Sequence, residues 1–359
     1  MKFLAQSFDK IGSFVKKNPH LKKFYPAWEA TDEFFLGTAK TATESPYIRD
    51  RIDIKRYMFL VIVALIPATI ASVYFYGLRV IAIILVSYIF GGIMETIFSI
   101  VRKKPIYEGF LVTGLIFPLT LPPTIPLWMV AVGISFGVFF GKEVFGGLGR
   151  NIFNPALVGR VFLFFAFPGY FASMWQEPFT GKLGGLVHYT SDAITSATPL
   201  INFKSTQILT DYNSLLMGTT PGSIGETFSI GIILGGIFLI IVKVAEWRIP
   251  LAYILSIAIF SFIFNSIAPD KFAPPLFQIL SGGLLLGAFF MATDPVTAPF
   301  TFAGKWIYGI ALGLLTLLIR GLSGFVEGVM FAILFMNAHS PLIDTIVLNV
   351  KFKSLKVDK

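Results

Sequence analysis

Apolar residues in this chain gather into uncharged runs long enough for a helix to cross a hydrocarbon layer, and polar residues gather between those runs. Ten spans follow: 57–76, 80–101, 109–121, 126–141, 156–172, 228–244, 251–267, 276–291, 306–319 and 326–336. The third, ninth and last are short for a full crossing. None alternates apolar and polar residues as a barrel strand does. The expected fold class is therefore an all-α polytopic membrane protein with inverted repeats and broken helices.

The repeat rests on one order of features met twice. An apolar half-span enters a Pro/Thr break, a helix begins near a Trp, and a Gly-rich turn precedes an Asn-containing segment. The first copy runs Phe117-Pro118-Leu119-Thr120-Leu121-Pro122-Pro123, Trp128, Gly146-Gly147-Leu148-Gly149 and Asn154-Pro155. The second runs Met291-Ala292-Thr293-Asp294-Pro295, Trp306, Gly321-Leu322-Ser323-Gly324 and Asn337. Alternating sides from a cytoplasmic N-terminus leaves Arg79, Lys182, Lys204, Lys271 and Arg320 outside, with every other Lys and Arg inside or near the inner boundary. That bias predicts both termini inside. It also puts the first break outside and the second inside, as inverted repeats with a polar pathway near mid-membrane require. Gly/Pro punctuation recurring by chance is the competing reading.

This organisation divides the chain into a cytoplasmic extension (1–56), a first membrane half (57–175), an outer-face loop (176–223), a second membrane half (224–345) and a basic cytoplasmic tail (346–359). Composition agrees, because 55% hydrophobic and 14% charged residues exceed what a soluble core of 359 residues uses. With no cysteine, disulfides, thiolate metal sites and Cys-held clusters are excluded, so a redox centre would be organic or supplied by another subunit. The first 56 residues lack an apolar core followed by a cleavage site and read as mature sequence. The net charge of +9 reports loop topology, and no nucleic-acid partner is expected.

Several residues are candidates for chemistry. Glu95 lies deep in the second span, where a carboxylate faces a cavity, a partner or an ion; pairing near Arg102 and Lys103 is the alternative. Asp294, with Thr293 and Thr297, offers hard oxygen ligands beside freed carbonyls, or else caps a helix. Glu108, Glu226, Glu327 and Asp344 stand at span ends, where an acid is cheap. The turn around Gly146 and Gly147 lacks the setting of a nucleotide loop and suits close approach to a flat ligand or a neighbouring helix. Phe162, Phe164 and Phe165 suit a quinone or isoalloxazine ring, or simple packing. His20, His188 and His339 show no ligand spacing. Ser196-Ala197-Thr198-Pro199 is on its own an ordinary turn or helix cap.

Four stretches in order change that reading: Phe24-Tyr25-Pro26-Ala27-Trp28-Glu29-Ala30, Arg49-Asp50-Arg51-Ile52-Asp53-Ile54-Lys55-Arg56, the run from Gly141 to Phe165, and Ala292-Thr293-Asp294-Pro295-Val296. Over nearly its whole length the chain resembles the family of the B subunit of the Na+-translocating NADH:quinone oxidoreductase, the Nqr complex, whose relative is the D subunit of the Rnf complex. The extension through Arg56 resembles Nqr rather than Rnf.

The resemblance implies an inner-membrane subunit of a bacterial redox-driven sodium pump, with Na+, quinone, lipid and Nqr subunits A, C, D, E and F as partners. It implies an FMN esterified through its phosphate to a threonine, here Thr198 in Thr195-Ser196-Ala197-Thr198, with serine where the family usually carries glycine. Asp192 matches an acidic residue of the attachment signal. A non-covalent riboflavin is implied too, with Gly146, Gly147, Asn151 and Asn154 as contact candidates. Quinone residues map to Gly91, Gly92, Phe162, Phe164 and the stretch around Trp28. Acids of the sodium path map to Glu29, Glu95, Glu226, Asp294 and Asp344. Electrons would enter at the outer face from the C subunit and leave to quinone. Beyond the Rnf relative, an inverted-repeat channel or secondary transporter is the reading from another class.

Overall fold

The computed structural model describes residues 12–17, 54–103, 109–181, 184–186 and 196–353. Trp28, Glu29, Asp192 and Thr195 lie outside the described residues. Among the described residues all regular structure is helical, and five helices are long and apolar enough to cross a membrane. Shorter apolar helices fill the bundle between them.

In the first half, α1 (Ile54–Tyr76) and α2 (Arg79–Arg102) cross as a pair. Next come the half-helix α3 (Gly109–Leu119), α4 (Leu127–Val138) and α5 (Pro155–Ala166). α4 runs on as a π-helical turn, Phe139–Glu143. Three short helices follow in the long loop: α6 (Pro168–Ser173), α7 (Pro199–Thr206) and α8 (Tyr212–Met217). The second half repeats the series with α9 (Ser229–Ile241), α10 (Arg248–Ile267) and α11 (Pro275–Leu280). It continues through α12 (Leu284–Leu286), which passes directly into a second π-helical turn at Gly287–Met291. α13 (Phe302–Leu322) and α14 (Val329–Phe352) close the bundle.

The breaks share a spacing. Thr120, Pro122, Thr124 and Pro126 recur as Thr293, Pro295, Thr297 and Pro299. They lie at opposite ends of the bundle. The Thr124 hydroxyl donates to the Met174 carbonyl at 2.8 Å, on the side of the long loop that carries Thr198. Asp294 instead shares a cavity with Tyr57, at the start of α1. A crossing chain cannot leave backbone groups bare in lipid, and the first break is satisfied by the loop: Gly225 N–H donates to Leu119 O at 2.7 Å and Ile224 N–H to Leu121 O at 2.9 Å.

Four spans differ from expectation, the first being 156–172, which breaks at Phe167 between α5 and α6. The run 276–291 is not one helix, because Ser281-Gly282-Gly283 interrupts it and Gly282 takes a φ of +67°. The ninth span, α13, begins at Phe302, where the Thr301 hydroxyl caps it by accepting from Gly304 N–H at 3.1 Å. The last helix runs to Phe352, well past residue 336. Its polar stretch reads as a loop in sequence, yet Asn337 is buried and accepts a hydrogen bond from the Tyr308 hydroxyl at 2.8 Å. Similar polar contact joins α10 to α13, where the hydroxyls of Tyr253 and Thr316 lie 2.6 Å apart.

Small residues set how closely the helices approach. A Cβ at Gly235 of α9 would lie 2.1 Å from the Ala64 carbonyl of α1, and one at Gly159 of α5 would lie 2.5 Å from the Gly133 carbonyl of α4. Backbone cannot yield as a side-chain tip does. Gly235→Val is therefore expected to cost roughly 3 kcal/mol through overpacking and to lower the yield of monodisperse protein on gel filtration after detergent extraction. Gly169→Val, with nothing within 4 Å, is the tolerated control; equal yields from the two variants would contradict the α1–α9 packing.

Candidate functional site

Thr198 is the N-cap of α7, with extended backbone (φ −65°, ψ 157°) and Pro199 in the first helical position. That is where a residue with a short hydroxyl side chain and a following proline belong at a helix start. Its Oγ1 accepts from Ile201 N–H at 3.5 Å, and the residue is 9% exposed. Ser196 and Ala197 line an adjoining cavity of about 760 Å³, together with Gln176, Glu177, Asn202 and Thr220. Such a volume is ample for a small organic ligand, and amide and hydroxyl side chains line it along with one carboxylate, Glu177. A group esterified to Thr198 through phosphate fits here, because the first-turn N–H groups of a helix favour an anion.

α7 is fastened to the bundle beneath it. Leu200 and Phe203 are buried, and the Phe203 ring meets Phe277 of α11 at 5.7 Å. Lys204 donates to the carbonyls of Ser323 (2.5 Å) and Arg320 (3.5 Å) at the end of α13. Under α7 lies a set of buried charges around the Ser281–Gly283 break. Arg320 caps the end of α11, donating to Gln278 O (2.7 Å), Gln278 Oε1 (2.9 Å) and Ser281 O (3.0 Å). Arg160 of α5 pairs with Glu327, and Glu226 accepts from the Ser223 hydroxyl at 2.7 Å. A Cβ at Gly283 would lie 3.4 Å from Glu226 Oε2 and 4.0 Å from Glu327 Oε1, so both acids face the break.

At the opposite end a cavity of about 70 Å³ opens between the two halves. Tyr57, Lys142, Asn151, Asn154 and Asp294 line it. It has room for an ion or a few waters but not for an isoalloxazine ring, so the riboflavin implied by the resemblance does not fit it. Asn154 caps α5, accepting from Ala156 N–H (3.0 Å) and Leu157 N–H (3.4 Å). Asn151 donates to Phe153 O at 3.2 Å, while its Oδ1 is buried without a partner. Gly146 and Gly147, at φ +116° and +95°, make the turn beyond the π-helical segment. The π-helical segment before that turn carries Glu143, 2.6 Å from Arg102, and Lys142, which pairs with Glu95.

A sequence profile for the NQR2, RnfD, RnfE family matches residues 41–353. This chain belongs to that family. Among its relatives, the Na(+)-translocating NADH-quinone reductase B subunit of Pseudomonas paraeruginosa is 35% identical, with 98% of each chain covered. The proteins of the same name from Pseudoalteromonas atlantica and Yersinia pestis are 37% and 36% identical, with 99% and 98% of each chain covered. The resemblance carried by the sequence motifs is thereby borne out.

Within this NQR2/RnfD/RnfE chain the expected site residues are gathered unevenly. Asn151, Asn154 and Asp294 share one cavity, and Ser196 lines another together with Ala197 and Pro199, the chain neighbours of Thr198. The four acids among the described residues do not form one site. Glu95 is paired with Lys142, and Glu226 lies at the Thr198 end. Asp344 accepts from Phe300 N–H (2.7 Å), Thr301 N–H (2.9 Å) and the Thr301 hydroxyl (2.6 Å), which makes it a brace at the start of α13. The quinone candidates also separate. Gly91 packs on Ile134 and Gly92 on Phe110. Phe162 stacks on Phe136 at 3.9 Å in an open aromatic groove, whereas Phe164 joins Phe171, Phe325 and Phe331.

Arg160 and Lys142 escaped the sequence reading. Each is a basic residue within or against an apolar span, the signal that drew attention to Glu95. Removing one partner of a buried pair strands the other, so Arg160→Met is expected to destabilise the protein by about 3–5 kcal/mol. The double variant Arg160→Met/Glu327→Gln should recover most of that loss in a thermal melt of the detergent-solubilised protein. A double variant no more stable than the single one would contradict the pairing.

Proposed function

We propose that this chain is the B subunit of a sodium-translocating NADH:quinone oxidoreductase in a bacterial inner membrane, with both termini cytoplasmic. It works beside subunits A, C, D, E and F. The names of relatives matched over nearly their full length support the reading. The observation that carries the chemistry is Thr198 as the cap of α7 at the rim of a ligand-sized cavity.

In this reading Thr198 would hold FMN as a phosphoester, made by a flavin transferase from a flavin dinucleotide whose pyrophosphate bond breaks, with the nucleoside monophosphate leaving and the threonine hydroxyl losing its proton. A flavin held there supplies one- and two-electron redox chemistry, and the ester leaves its ring free. The α7 backbone favours the negative charge of the ester. Gln176, Asn202 and Thr220 present polar groups to the ligand, while Leu200 and Phe203 hold α7 on the bundle. Electrons arrive at this end and leave to quinone. Asp294 provides a carboxylate at the other end for sodium as cargo. Asn151 and Asn154 keep polar atoms at the same cavity.

Thr198→Ala is expected to abolish the flavin fluorescence that survives denaturing electrophoresis of protein co-expressed with the flavin transferase. Retained fluorescence in that variant would disprove the attachment point. Asp294→Asn should raise the half-saturating sodium concentration for quinone reduction by about tenfold, the loss of one good charged contact. Sodium activation equal to the parent complex would remove Asp294 from the path.

A further inference from the structure

Glu95 and Asp294 are separated by a lysine. Lys142 is 2% exposed and Glu95 is 6% exposed, and the two form an ion pair between the π-helical turn and α2. Lys142 lines the small cavity that Asp294 also lines, whereas Glu95 is not part of that wall. Seen from the cavity, the carboxylate of Glu95 is behind the ammonium.

Of the acids around Lys142, Glu143 is already held by Arg102, and Asp294 faces the lysine across the cavity as the alternative partner. Arg102 is held by Glu143, through its carboxylate at 2.6 Å and also through its carbonyl. Among the described residues no basic side chain is paired with Asp294, whose Oδ1 accepts from Val296 N–H at 3.0 Å. The local set of Glu95, Asp294 and Lys142 therefore has two carboxylates and one internal cation. One monovalent cation completes it. The π-helical turn supports this arrangement, because it directs the consecutive Lys142 and Glu143 inward, where both are buried.

We propose that Lys142 is a tethered cation that gates Glu95: a sodium ion entering at Asp294 reaches Glu95 only when Lys142 exchanges its partner. A carboxylate neutralised by an ammonium exerts little net attraction on a second cation. A lysine, with a compact charge on a flexible four-carbon stem, can reorient as a small cation would move. When Lys142 turns from Glu95 toward Asp294, sodium takes its place, and the number of buried charges of each sign matches throughout. Neither acid is stranded, which a buried site demands.

The gate rests on the sodium-pump reading, and its test separates the two. Sodium binding to the purified complex is titrated directly with radioactive sodium ion, beside sodium-stimulated quinone reduction. Lys142→Met removes the internal competitor and should tighten sodium binding by about tenfold. Lys142→Arg keeps the charge but holds the carboxylate through two parallel hydrogen bonds, and should weaken binding. Opposite shifts support the gate. Unchanged affinity in both variants, or shifts of the same sign, overturn it while leaving the pump intact. A wild-type complex that binds no sodium overturns both. Should Lys142→Met fail to assemble, the arginine variant decides alone, since wild-type affinity in it contradicts the competition.

Discussion

Backbone groups at helix breaks inside a membrane bundle have no water to fall back on, and this fold depends on how its own residues satisfy them. The break after α3 is closed by a strand-like contact from Ile224 and Gly225. The break after α11 is closed by Arg320, whose guanidinium binds the Gln278 and Ser281 carbonyls. Each solution draws charge inward. The loop that seals the first break carries Glu226, and the arginine that seals the second lies beside Glu327. A buried charge needs a counter-charge, and Arg160 answers Glu327. The polar interior at the Thr198 end follows from stopping helices in mid-span.

The same reasoning links that interior to the redox face. α7 rests on the structure surrounding the Ser281–Gly283 break: Leu200 lies against Gly282, and Lys204 binds the end of the helix that bears Arg320. At the Asp294 end two π-helical turns, one in each half, contribute to the cavity wall, Lys142 from the first and Phe289 and Phe290 from the second, while the other polar groups come from the turns that follow them and from α1 and α3. The two ends thus differ in scale. One cavity is sized for an organic group and the other for an ion.

Much of this was legible in sequence because lipid imposes a simple rule on composition. Uninterrupted apolar runs marked the positions of the spans, and the two Pro/Thr breaks were visible because closely spaced prolines remove several backbone donors at once, whereas the lone Pro67 and Pro341 are carried inside α1 and α14. The break at Ser281–Gly283 was not visible, since two glycines in an apolar run resemble a packing notch. The extension of α14 was hidden for the opposite reason: Asn337 looks like loop until Tyr308 is seen to satisfy it. The pairing of Lys142 with Glu95 depends on residues far apart in the chain, which no local pattern records. Thr198 shows the complementary case. Local sequence predicts a helix cap, the structure contains one, and only family membership makes it a candidate for modification.

The central claim is that this cap carries a flavin through a phosphoester. The most direct measurement is mass spectrometry of the peptide from Asp192 to Lys204, cut from protein matured with the flavin transferase. The account predicts an FMN-sized addition, localised to Thr198 by fragmentation. An unmodified peptide, or an addition localised to Ser196 or Thr195, would contradict it.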